Sequence, residues 1–190
     1  MGQQFAELDD KHIAFIERQH IFFVGTAADS GQVNISPKGG DSLRVLSPTK
    51  IAWLNFTGSG NESAAHTLLN NRMTIMLCSF DEAPKILRCY GRARAVHLND
   101  PEWHELYAKF PANPGARQMF IQEIELVQSS CGMAVPNFEY QGDRNALDKW
   151  AEKKGPLGIE DYWLKKNQHS IDGFHTGIQQ NLSRVKASNE

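Results

Sequence analysis

Between Ile86 and Arg94 the chain changes character at every second residue. Ile86, Arg88, Tyr90, Arg92 and Arg94 share one side of an extended segment, and Leu87, Cys89, Gly91 and Ala93 share the other. A period of two belongs to a β-strand with one face on a core and one on solvent or an anion. Such a strand needs hydrogen-bonded neighbours, and the sequence supplies them in hairpin order. Ile21 to Ala28 is apolar and β-prone, and Asp29-Ser30-Gly31 turns it into Val33 to Ser36. Leu43 to Leu46 and Ile51 to Phe56 flank a Ser47-Pro48-Thr49-Lys50 turn. Met73 to Phe80 is apolar on both alternating faces, which predicts a strand buried on both sides, and Met119 to Gln128 reads as a further strand.

Helical spacing fills the gaps. Phe5, Leu8, His12, Phe15 and Ile16 predict a first helix over Phe5 to Gln19, and Asn61 to Asn71 predicts a second with Glu62 in its first turn. Asn99-Asp100-Pro101-Glu102 opens a third, striped by Trp103, Leu106, Tyr107 and Phe110. Beyond Ser130 the pattern turns helical and aromatic. About six strands with peripheral helices describe a mainly β, α+β chain, a small antiparallel barrel with helices added. A Rossmann fold is excluded: Gly58-Ser59-Gly60 lacks a third glycine and follows a later strand.

A chain of 190 residues holds one domain with a real core, expected over 1–178, with 179–190 as a frayed polar tail. A net charge of -2 argues against general attraction to nucleic acid or to an anionic membrane. No signal peptide or membrane-spanning run is readable, so a cytoplasmic protein is expected. Cys78, Cys89 and Cys131 lack a Cys-x-x-Cys pair, and the histidines lack metal spacing, so no metal site is expected. Ser129-Ser130-Cys131-Gly132 sits in no nucleophile elbow, and a structural cysteine is the better reading.

Two loops carry the functional argument. Val33-Asn34-Ile35-Ser36-Pro37-Lys38-Gly39-Gly40-Asp41 and Leu54-Asn55-Phe56-Thr57-Gly58-Ser59-Gly60-Asn61-Glu62 both place glycine and small polar residues at strand ends, the second just ahead of a helix. Glycine lets backbone approach a ligand, and free N–H groups before a helix cradle an anion. Alone, the first is a wide turn and the second a capped helix start. Turn-making requires neither a lysine beside two glycines nor five successive small polar or glycine residues. Their conjunction points to one phosphorylated ligand held from two sides, with Lys38 supplying charge. Arg88 is either a solvated strand residue or a cation that reaches this ligand; Arg92 and Arg94 are read as solvated.

These same residues, with Arg88-Cys89-Tyr90-Gly91-Arg92-Ala93, resemble the pyridoxamine 5'-phosphate oxidase-like FMN-binding proteins. More narrowly the chain resembles a bacterial and fungal subgroup that also carries Ser130-Cys131-Gly132, Val135-Pro136, Trp163 to Asn167 and Ser170-Ile171-Asp172-Gly173. The resemblance implies a six-stranded antiparallel split β-barrel forming a homodimer, with FMN at the subunit interface. Ser36, Pro37, Lys38 and Gly39 would lie along the flavin, with Asn55 on the adjoining strand end. Thr57, Gly58, Ser59, Gly60, Asn61, Glu62 and Ser63 would hold the phosphate, and Arg88 would cross near the ring. Cys131 to Pro136, Val135 included, would approach from the partner.

Two departures restrict the activity that the resemblance implies. The authentic oxidase brings an Arg-Lys pair to the phosphate where this chain reads Asn61-Glu62-Ser63-Ala64-Ala65, and its terminal Arg-x-His is replaced by Ile171-Asp172-Gly173-Phe174-His175. The expectation is therefore an FMN-dependent oxidoreductase of open substrate. The rivals are a flavin- or haem-binding module without turnover and, less favoured, a genuine pyridoxamine 5'-phosphate oxidase. A deazaflavin in place of FMN stays open.

Overall fold

The computed structural model describes residues 2–182. Eight strands make one antiparallel sheet: β1 (Gln3–Phe5), β2 (Phe22–Thr26), β3 (Asn34–Lys38), β4 (Leu43–Ser47), β5 (Lys50–Phe56), β6 (Arg72–Cys78), β7 (Ile86–Val96) and β8 (Ala116–Ser130). Their order is β3-β2-β6-β7-β8-β5-β4, with β1 added to β8. The sheet thus has more strands than the six expected. β1 escapes the sequence pattern because Phe5 continues the apolar spacing of the first helix. That helix, α1 (Asp10–Glu17), is held back to Asp10 by its cap: the Asp9 carboxylate accepts the His12 N–H at 2.8 Å, and the His12 ring accepts the Asp9 N–H.

The sheet curls. Phe22 on β2 and Trp53 on β5 are separated by three strands in the sheet order, yet their rings meet edge to face at 6.3 Å between centroids. Inside the curl lies the main core, where Val24, Trp53, Ile75, Leu77, Leu87 and Phe120 pack against Phe15 and Ile16 of α1. The alternate residues of β5 and β8, Ala52, Leu54, Met119 and Ile121, face outward beneath Trp103 and Leu106 of α3 (Trp103–Tyr107). Among the described residues no ladder joins β3 to β4, the two ends of the strand order.

β6 differs from its expected two-sided burial. Ile75 and Leu77 are fully buried, but Thr74 and Met76 are only half-buried. They line an outer cavity of about 560 Å3 with Phe23, Ile35, Tyr90 and Arg88. The strand therefore has one core face and one apolar face that this single chain leaves partly open.

Two helices complete the fold around the loops. α2 (Glu62–Leu69) follows β5, and α4 (Ala146–Lys166) is broken at Gly155, where φ is 66° and Pro156 follows. Ala151, Ile159 and Trp163 of α4 form a small core with Ile178. Of the expected frayed tail, residues 179–182 are described. Ile178–Asn181 is a short 3-10 helix in which Ile178 and Asn181 are buried, because Asn181 bonds inward to His97 and to the Arg117 carbonyl. The remainder of that tail lies outside the described residues. No helix among them is long and apolar enough to cross a membrane.

Candidate functional site

Alternation along β3 turns Asn34, Ser36 and Lys38 to the side of their partners Thr26, Val24 and Phe22, all of which are buried. Lys38 is half-buried, its Nζ donating to Asn55 Oδ1 at 3.3 Å and standing 5.2 Å from the Trp53 ring centroid. Burial pushes its pKa down to about 8, and the nearby Arg117 charge adds to the effect. Ser36 Oγ donates to Asn34 Oδ1, and the Asn34 amide donates to Thr26 Oγ1 at 3.2 Å and Ser63 Oγ at 3.3 Å. The polar face of β3 is thereby tied to the first turn of α2.

The second loop is pinned from behind. Thr57 gives both its N–H and its hydroxyl to the Gly115 carbonyl, at 2.7 and 3.0 Å, and its Oγ1 accepts the Trp163 indole N–H at 2.9 Å. Asn167 donates to the Gly58 carbonyl at 3.0 Å and to that of Ser59 at 3.4 Å. Glu62 turns toward the chain's later segment, where both of its oxygens accept the Ile171 N–H. Asn61 precedes α2 and is 2% exposed, yet neither atom of its amide has a protein partner. A buried amide without partners is costly and is kept where something else completes it.

Arg117 is the residue that sequence reasoning missed. It is 2% exposed at the start of β8, and its Nη1 donates to Asn167 Oδ1 at 2.9 Å and to the Gly60 carbonyl at 3.0 Å, with Gly58 at 3.5 Å. Its Nε has no partner. Burial pushes the guanidinium down to about 9, which leaves it charged at neutral pH. The one available signal was an arginine just before an apolar strand, and strict alternation would have sent it to the outer face.

A cavity of about 350 Å3 gathers these groups. Ser36, Pro37, Lys38 and Asn55 line one side, and Gly58, Ser59, Gly60, Asn61, Glu62 and Ser63 line the other, with Arg117 beneath. Thr57 stands behind the wall. Gly39 borders the adjoining cavity with His20 and Ser42. The structure does not bring Arg88, Cys131 or Val135 to this cavity within one chain. Arg88 donates to Ser130 Oγ at 3.2 Å and lines the outer cavity. Cys131 is exposed, and the segment beyond it folds back on its own chain, with Phe138 against Phe80 and Tyr140 stacked on His20. Arg92 and Arg94 form surface pairs with Glu125 and Glu102.

The cavity has the chemistry of an anion site: open glycine backbone, unpartnered amide groups, and two cations that form no ion pair among the described residues. Residues 8–131, which contain both loops and Arg117, match the model of the pyridoxamine 5'-phosphate oxidase family. The chain belongs to that family. A pyridoxamine 5'-phosphate oxidase family protein of Aspergillus flavus, ustO, is 35% identical over 188 residues, covering 90% of this chain and 76% of its own. Two of the solved structures that share the fold illustrate the likeness. One is a candidate pyridoxamine 5'-phosphate oxidase of Lactobacillus delbrueckii (TM-score 0.53, 21% identity, 65% of this chain and 94% of that one). The other is HupZ of Group A Streptococcus (TM-score 0.50, 16% identity, 63% and 92%). Trp163, Asn167 and Ile171, which brace the second loop, lie beyond the part of the chain that matches the pyridoxamine 5'-phosphate oxidase family.

Proposed function

We propose that the cavity holds FMN and that the protein is a flavin-dependent oxidoreductase of the pyridoxamine 5'-phosphate oxidase family, acting on a substrate other than pyridoxamine phosphate. One observation carries the reading: Lys38 and the unpartnered Asn61 amide, from two separate loops, face a single cavity at the start of α2. The donors fit a phosphate ester, because Gly58 leaves open space where a side chain would stand and the buried amide lacks protein partners. Ser36, Pro37 and Lys38 would lie along the rest of the cofactor. The flavin, when bound, supplies the hydride and electron transfer, so the chain needs no dedicated acid or base. Its residues bind, orient and exclude water, with Lys38 presenting positive charge from a half-buried position.

The outer face of β2, β3, β6 and β7 supports a homodimer with the cofactor site at its interface. Val33 and Ile35 are 71% and 70% exposed and continue the apolar surface of Phe23 and Met76. Arg88, on that face, would then serve the site across the interface, as would Cys131 and Val135 in the segment after β8.

The experiment is the visible spectrum of freshly purified protein, followed by the mass of whatever heat releases. Flavin bands with an FMN mass support the reading; a colourless protein that also fails to bind added FMN overturns it. A second reading is a flavin carrier without turnover. Failure of NADH and NADPH to bleach the bound flavin under anaerobic conditions would support it over the oxidoreductase.

A further inference from the structure

Across β5 and β8 the register pairs Asn55 with Gln118 and then Phe56 with Ala116, so Arg117 is an extra residue with no partner of its own. A bulge of this kind re-aims a side chain, and here it carries Arg117 under the second loop. All the acceptors of Nη1 are neutral oxygens: the Gly58 and Gly60 carbonyls and the Asn167 side chain. Nε has none. A guanidinium this deeply buried and balanced only by dipoles is unfavourable without a counter-charge, and the charge that bears on Lys38 is Arg117 itself, another cation. Glu62 lines the same cavity but gives both oxygens to the Ile171 N–H. The helix start, Asn61-Glu62-Ser63, contributes no cation.

We propose that Arg117 is the counter-charge for the phosphate end of the ligand, and that Asn167 is the residue that positions it. This rests on reading the cavity as an FMN site and names the residue that would make it select FMN over riboflavin. Asn167 is suited to the role because it holds both sides of the contact. Its carbonyl oxygen accepts from Arg117 while its amide nitrogen donates to the loop carbonyls.

The test is paired titration of FMN and riboflavin, which differ by the phosphate, at fixed ionic strength. The wild-type protein should prefer FMN. Arg117→Met should weaken FMN binding about tenfold to a hundredfold and leave riboflavin binding unchanged, the scale of a lost hydrogen-bonded charge. Because removing a buried guanidinium can unfold the chain, Asn167→Asp is the second variant. It puts a carboxylate beside Nη1 and neutralises Arg117 in place, so the FMN preference should fall in the same direction. Folded variants that keep the wild-type preference would overturn the proposal. A wild-type protein that binds neither flavin defeats the FMN reading separately. Calorimetry with inorganic phosphate then decides Arg117 alone: phosphate bound by wild type and lost in Asn167→Asp supports it, and no binding by wild type overturns it.

Discussion

Lys38 brings a positive charge into a half-buried position beside a second buried cation, a burden on the ligand-free protein. In the unfolded chain its amine titrates near 10.5, and in the fold near 8. Between these values the unfolded state binds the extra proton, so stability rises with pH from about 8 to about 10.5, by about 3 kcal/mol at most. Lys38→Met should therefore raise the urea midpoint of the apo protein at pH 7, and the advantage should shrink as the pH approaches 10. In the same preparation Lys38→Ala should lower the FMN that copurifies; unchanged occupancy would remove Lys38 from the site. Lys38 and Asn61 were legible in the sequence because glycine-rich polar loops announce themselves by composition. Arg117 was not, since its direction depends on a register shift between two strands that no local pattern records.

The same distinction holds for whole elements. The two-faced segment from Ile86 became β7 as read, because period two is a strong signal when both faces are populated. β1 was lost because three residues beside a helix leave no period to detect, and the brace from α4 to the 3-10 helix was invisible because its meaning lies in contacts more than a hundred residues apart in sequence, as between Trp163 and Thr57. Gly91 marks another bulge, between β7 and β8, where a Cβ would run into the Glu123 carbonyl. Gly91→Ala should cost about 3 kcal/mol in chemical denaturation, since neither backbone can yield within a paired ladder. Trp163→Phe should cost about 1 kcal/mol through the lost bond to Thr57, and should speed FMN release by loosening the loop.

For the whole molecule, the proposed homodimer would give the open apolar face of the sheet and the absence of Arg88, Cys131 and Val135 from the chain's own cavity one explanation. Ile35→Glu should shift the protein to monomer in light scattering coupled to size exclusion, and the monomer should hold FMN more weakly. A dimer that persists would place the interface elsewhere. The sequence pattern reached the antiparallel β architecture but not this face, because the alternation that exposes Ile35 matters only once β2 and β6 are beside it. The brace on the second loop also sets an order of events during synthesis. A nascent chain that has emerged as far as Ser130 possesses all eight strands, yet Thr57, Gly58 and Arg117 still lack Trp163, Asn167 and Asn181. Strand pairing can precede completion of the pocket, and the ribosome must deliver the described residues beyond Ser130 before the second loop gains its brace.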